Sequence, residues 1–249
     1  MIEFFSSVDG LTESFPIIKH SKELPKWINL AREDFKQQQE SELTKSQHIF
    51  KCPGIFHFFS LGFLVTSWHD FEITCTDRGL NWTIPDKMMN VLLERDVIQI
   101  QSGDGIAKYI PKRPWSIPHI IKLNTPWHVI APKNVKFLML PLPYAEEMDF
   151  ECCPGILDPG YSSEINIQLY WNKIRGNRVV KAGTPLAYLI PLTEKNYNFV
   201  VRDKNEKDEK WLKKRKYLNF FSFVFGRNKV KDSYLKHYGD KEYRIRNIL

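Results

Sequence analysis

Two kinds of hydrophobic spacing divide the chain. Around residues 25–36 the spacing is helical: Ile28, Ala31 and Phe35 fall on one face at i, i+3 and i+7, and Pro25 stands where a first turn tolerates proline. The 24 residues before it hold one apolar patch, Phe15–Ile18, and read as irregular; Gln37–Gln47 is polar and reads as helix end and linker. From Phe50 onward, short β-rich runs alternate with Pro, Gly, Asn and Asp. Strands are predicted at Phe63–Ser67, Phe71–Thr76, Leu80–Ile84, Val97–Gln101, His119–Leu123, His128–Ala131, Val135–Leu140, Ile165–Trp171 and Leu186–Leu192. The clearest alternation is in Ile165–Trp171, with Ile165, Ile167 and Leu169 on one face. Asp86–Glu94 fits a short helix instead. Beyond Arg202 the helical period returns, predicting helices over Lys204–Phe225 and Lys229–Tyr238 separated by Gly226. Trp211, Leu212, Leu218, Phe221 and Phe225 give this segment an apolar surface with which to dock.

Many short strands with frequent turns predict a mainly β sandwich or barrel. The expected organisation is an N-terminal helical extension at 1–46, a β domain at 47–201 and a helical tail at 202–249.

Charge sharpens this division. The net charge is +7, yet from Arg202 onward 15 basic residues face 7 acidic ones, a surplus of +8, so the preceding residues sum to −1. A basic tail attracts nucleic acid, an anionic surface or an acidic protein; its simplest reading is a solvated helical face. Aromatic residues at 14% supply a substantial core, and no apolar run approaches the ~20 residues of a membrane helix. The first residues lack the layout of a secretory signal, so the expected setting is a cytosol-like compartment with all four cysteines reduced. Cys52 and Cys75 read as small buried hydrophobes, while alternation places one of the adjacent Cys152 and Cys153 thiols inward and the other outward.

Several chemistries lack their residues. There is no nucleophile-elbow serine motif, no phosphate-binding glycine loop and no dinucleotide fingerprint. Cys52, His57, His69 and Cys75 do not have metal-ligand spacing, and His57, set among Phe56, Phe58 and Phe59, reads as a core or edge histidine. Glu146, Glu147, Asp149 and Glu151 read as a solvated strand edge, with a hard cation as the alternative. In the tail, Lys213, Lys214, Arg215, Lys216 and Tyr217 stand with Phe220 and Phe221, the mixture that single-strand binders use for phosphates and bases. At helical spacing the same rings make a docking face.

Residues 126–192 carry a resemblance. Pro154-Gly155-Ile156-Leu157-Asp158-Pro159-Gly160-Tyr161-Ser162-Ser163-Glu164 is followed by Gly183-Thr184-Pro185-Leu186-Ala187-Tyr188-Leu189-Ile190. This order resembles the dUTPase and dCTP deaminase superfamily, with Gly155, Asp158, Tyr161 and Glu164 matching one motif and Gly183, Ala187, Leu189 and Ile190 a second. The resemblance implies a dUTPase-like β-clip barrel that commonly forms trimers. It also implies that Asp158 orients a water and contacts a sugar while Tyr161 packs against the deoxyribose. The departures are chemical. Pro141-Leu142-Pro143-Tyr144 stands where the family places a phosphate-binding Pro-Arg-Ser, and the glycine-rich closing segment is replaced by the basic, aromatic tail. Lys133, Lys136, Arg175 and Arg178 are the nearby cations that would have to compensate. A second resemblance runs through Pro16–Lys19, Leu24–Trp27, Phe50–Gly54, Gly62-Phe63, Asn124–Trp127, Gly183–Leu186 and the closing Tyr234, Tyr238, Lys241 and Tyr243. It is to proteins of tailed phages, marine ones especially, and implies a viral setting in host cytoplasm or virion.

The residues and these resemblances together lead to a non-enzymatic phage protein that binds or assembles through its β domain. It needs no metal or cofactor, forms a homo-oligomer, and contacts phage proteins or nucleic acid through the tail. The rival is a nucleotide-binding or dNTP-hydrolysing protein using Asp158, Tyr161 and Mg²⁺.

Overall fold

The computed structural model describes residues 1–37, 47–76, 79–85, 96–101, 108–109, 111, 113–145, 149–172, 175–220 and 222–238; the side chains of 217, 219, 220, 222–225 and 227 lie outside that description. The helix expected at Asp86–Glu94, and Glu146, Glu147, Phe221, Lys241 and Tyr243, also fall outside the described residues.

The protein is mainly β, and its described strands form three open sheets. β1 (Ile2–Ser6) lies between β14 (Phe199–Asp203), with which it runs parallel, and β7 (Ser116–Ile130), with which it runs antiparallel. β7 continues to β11 (Glu164–Asn172) and β9 (Phe150–Cys152), and also pairs with β6 (Ile98–Gln101). A second sheet runs β10 (Gly155–Leu157), β8 (Lys136–Leu140), β13 (Pro185–Leu192), β3 (Phe63–Thr66) and β2 (Ile18–Lys19). The third joins β12 (Gly176–Val180), β4 (Phe71–Thr76) and β5 (Gly79–Thr83).

Alternation explains the packing. Ile165, Ile167 and Leu169 of β11 are fully buried, as are Phe4 of β1, Ile121, Leu123 and Trp127 of β7, and Phe137 of β8, all within one core drawn from all three sheets. Each such side chain contributes roughly 1.5–3 kcal/mol through removal of apolar area from water. Phe4 meets Phe63 edge-on, with ring centroids 4.9 Å apart, so the N-terminal strand is held at the centre of the interior.

The irregular N-terminus expected over residues 1–24 is therefore corrected. Its five-residue β1, Ile-Glu-Phe-Phe-Ser, is buried throughout, polar Glu3 and Ser6 included, so no alternation of apolar and polar positions reveals it. β1 lies in the segment before the expected 47–201 domain and β14 straddles that domain's end, and both share its sheet. The strands expected at His119–Leu123 and His128–Ala131 are one strand, β7. Its central polar residues donate into the sheet: the Asn124 backbone N–H to Val97 O at 2.8 Å, its side-chain Nδ2 to Asp96 O at 2.7 Å, and the Thr125 hydroxyl to Ile165 O, while Asn124 Oδ1 is buried with no hydrogen bond among the described residues.

Five α-helices are described. α1 (Leu11–Ser14) is one turn; α2 (Lys26–Gln37) follows Pro25 and buries Ile28. α3 (Pro53–Ser60) has proline in its first turn and buries Ile55 and Phe59, against the β reading of that stretch. Cys52 is exposed just before it, so it is not the small buried hydrophobe expected, and His57 is exposed on it, outside the core. Cys75 is buried as expected, but Cys152 and Cys153 are both buried, because the chain leaves β9 after Cys152 and turns the second thiol under Tyr170. α4 (Glu206–Phe220) and α5 (Ser222–Tyr238) make the tail; Gly226, with φ 73° and ψ 159°, interrupts α5 where the sequence places a break.

The tail is docked. Trp211, Tyr234 and Tyr238 pack with Phe5 and Ile130 on the outer side of β1 and β7. Asn205 and Asp208 cap α4 reciprocally: Asn205 N donates to Asp208 Oδ2 at 2.9 Å and Asp208 N to Asn205 Oδ1 at 3.1 Å. Arg202 on β14 donates to both Asp208 oxygens and to Glu3 at 3.0 Å, and the Tyr238 hydroxyl donates to Asp208 Oδ1 at 3.1 Å.

Candidate functional site

Asp158 follows the edge strand β10 and begins a tight turn into β11. Its carbonyl accepts the N–H groups of Tyr161 and Ser162, each at 2.9 Å, and its Oδ1 accepts the Gly160 N–H at 3.0 Å. This is the geometry by which an aspartate fixes its own turn. A Cβ at Gly160 would sit 3.1 Å from Asp158 Oδ1 and 3.1 Å from Lys231 Cγ, so glycine allows the tail to approach closely.

The other carboxylate oxygen faces two ammonium groups. Lys136, at the start of β8, is 3.7 Å away and Lys231 of α5 is 3.6 Å away. Oδ2 is closed to solvent, with no hydrogen bond among the described residues. Lys231 also stands 5.2 Å from the centroid of the Tyr161 ring. One residue of the tail thus covers both side chains that the sequence singled out.

A second tie lies beside it. Arg215 of α4 is 5% exposed and donates to the hydroxyls of Ser162 at 3.0 Å and Ser163 at 3.2 Å. Ser163 Oγ lies 3.4 Å from His128 Nδ1, and the His128 ring stacks on Phe5 with centroids 4.8 Å apart. Tyr234 on α5 accepts the Ala131 N–H at 3.2 Å, and burial pushes its hydroxyl pKa up. Burial likewise raises the Tyr238 hydroxyl, reinforced by the Asp208 carboxylate. Both phenols are neutral hydrogen-bonding groups at neutral pH, not acids or bases.

The remaining predicted residues are dispersed. Pro141–Tyr144 turns toward the N-terminal helices: Tyr144, at φ 52°, accepts the Trp27 indole N–H at 3.0 Å. Arg178 pairs with Asp149 at 3.4 Å and Arg113 with Glu151 at 3.0 Å, so these carboxylates are partly neutralised. Of the five tail residues, Lys213, Lys214 and Lys216 are exposed, Arg215 points inward, and the Tyr217 side chain is outside the described residues. Of the four cations considered as compensating, Lys136 reaches Asp158. Lys231 was missed because nothing in the sequence pairs a lysine in a C-terminal helix with a distant turn.

The arrangement suits holding a turn. A general base needs a lone pair directed at a water; here one oxygen is used by the backbone and the other is shut in beside two cations. A divalent metal fits poorly at a carboxylate already facing two ammoniums. Among the described residues no group of three His, Cys, Asp or Glu side chains is placed to hold a metal ion. Among them, too, no helix is long and apolar enough to cross a membrane.

No protein-family model matches the chain, and no curated protein matches it. Among solved structures, the chain is similar to a mutant dUTPase from phage phi11 of S. aureus, described as coordinating a structural Mg(II) ion. The match has 15% identity and a TM-score of 0.25, and covers 42% of this chain and 97% of that one. This overlap is too shallow to assign a fold family.

Proposed function

We propose that the chain is a non-enzymatic phage protein that binds or assembles through its β domain, in the virion or during host takeover, with the tail contacting a partner or nucleic acid. The observation supporting this is the closure of the Asp158–Tyr161 turn by the protein's own tail, with Lys231 set between the carboxylate and the ring. In this reading the β-clip-like turn is scaffold and the protein assembles as a homo-oligomer, a trimer by resemblance.

The test is turnover of a panel of dNTPs, dUTP and dCTP included, with Mg²⁺, by the full chain and by Asp158→Asn. The expected result is none with either protein. Hydrolysis or deamination abolished by Asp158→Asn would replace this reading with the rival one. A nucleotide-binding or dNTP-hydrolysing protein is favoured by one observation, that Lys136 and Lys231 bring two cations to Asp158 where a polyphosphate would need them.

A further inference from the structure

Resting on the binding reading above, we propose that the outward face of α4 is a sequence-independent binding surface for the phosphate backbone of nucleic acid. The packing of the helix sorts its charges. Asp208, Trp211 and Arg215 are buried, and Leu212 and Leu218 are partly buried against the same core, so one stripe faces the sheet. Arg215 is spent on Ser162 and Ser163, and Asp208 on Arg202 and Tyr238. Lys207, Lys210, Lys213, Lys214 and Lys216 are all exposed. The helix's exposed acids, Glu206 and Glu209, lie at its start, so the surface from Lys210 to Lys216 holds lysines with no acidic residue among them. Lys210, Lys213 and Lys214 have no ion pair among the described residues. Lys229 and Lys236 of α5 are exposed as well.

The composition of this face selects the partner. Lysine is a flexible point charge that neutralises phosphates without reading bases, and the one fork on α4, Arg215, which would grip carboxylate or phosphate alike, is turned inward. A membrane-surface helix needs apolar side chains to insert, and the exposed described residues of α4 include none. Spacing agrees. At ~1.5 Å rise per residue, Lys207 to Lys216 spans ~14 Å. One strand of duplex DNA presents a phosphate every ~3.4 Å, so that length faces about four phosphates; at ~100° per residue Lys207, Lys210, Lys213 and Lys214 fall within ~120° of arc to meet them, with Lys216 half a turn from Lys207.

The experiment is fluorescence anisotropy of the full chain with labelled duplex and single-stranded DNA of mixed sequence between 50 and 200 mM salt. Phosphatidylserine vesicles and polyglutamate serve as competing probes. About four phosphate contacts imply a duplex affinity falling roughly 100-fold across that range. Lys210→Gln/Lys213→Gln/Lys214→Gln should remove most of that salt dependence. Lys133→Gln/Lys195→Gln, on other exposed lysines, should not. Unchanged circular dichroism and melting separate lost charge from lost fold. Equal DNA affinity in the triple variant overturns the assignment, as does binding to vesicles or polyglutamate without binding to DNA. Failure here leaves the absence of dNTP turnover untouched, and turnover would not bear on the salt slope.

Discussion

Asp208→Asn should unfold more than the helix in which it lies. The Asp208 side chain is wholly buried and joins three elements: Arg202 on β14, the Asn205 N–H at the start of α4 and the Tyr238 hydroxyl at the end of α5. Every one of these partners donates. Asparagine keeps a single acceptor oxygen and turns two N–H donors toward them. Removing one member of a buried ion pair typically costs about 3–5 kcal/mol, because the other charge is left uncompensated. Arg202 keeps Glu3 at 3.0 Å and its side chain is 24% exposed, so the lower end applies, about 3 kcal/mol. That is a large share of the roughly 5–15 kcal/mol that stabilises a typical domain. Equilibrium urea unfolding, followed by tryptophan fluorescence and far-ultraviolet circular dichroism, measures it. A double-mutant cycle with Arg202→Met should return a coupling of about 1–3 kcal/mol. A loss below about 1 kcal/mol would refute the role assigned to the pair. So would hydrogen exchange showing α4 and α5 unprotected while β1 and β7 keep wild-type protection, since the tail would then fold apart from the sheet.

Two further outcomes are expected. At Gly62 a Cβ would strike the Leu189 carbonyl and lie 2.6 Å from the Tyr188 ring, so Gly62→Ala should cost at least ~2 kcal/mol and lower the melting temperature and soluble yield. A wild-type melting temperature would show that β3 and β13 can move apart. His20 is buried with its Nδ1 on Glu23 O at 3.0 Å and its ring edge-on to Phe59 and Tyr188. Burial lowers its pKa from 6.5, although hydrogen bonding to Glu23 opposes the shift. The unfolded chain then takes up this proton first, so the associated stability is complete above 6.5, is lost as pH falls below it, and levels off beneath the lowered folded value. Melting temperatures from pH 8 to 5 should fall less for His20→Phe than for wild type; parallel curves would exclude His20 as the source.

What the sequence made legible follows from how each element is stabilised. β4 matches its expected bounds, and β11 extends one residue beyond them at each end, because one face is buried and the other is not, and alternation records that difference. β1 leaves no such record because all five residues are buried. β10 and β12 are short strands whose outward residues include the exposed Ile156 and Val179, so their pattern is weak as well. α3 was hidden for a related reason: Ile55, Phe56, Phe58 and Phe59 form an apolar cluster too short to distinguish helix from strand by period.

The candidate site divides along the same line. Asp158 and Gly160 were legible because a turn closed by its own aspartate is a local event, written in neighbouring residues. Lys231 and Arg215 were not, because what they do depends on α4 and α5 docking across β1 and β7, a long-range contact made by Trp211, Tyr234 and Phe5. Counting charge by segment therefore gives the correct total and the wrong distribution. Arg202, Asp208, Arg215 and Lys231 are engaged within the protein, and the tail's basic character is carried outward by lysines alone on α4. A partner that reads the outward face of α4 meets mobile point charges, while Arg215, the arginine of that helix, holds two serines of its own chain with its fork.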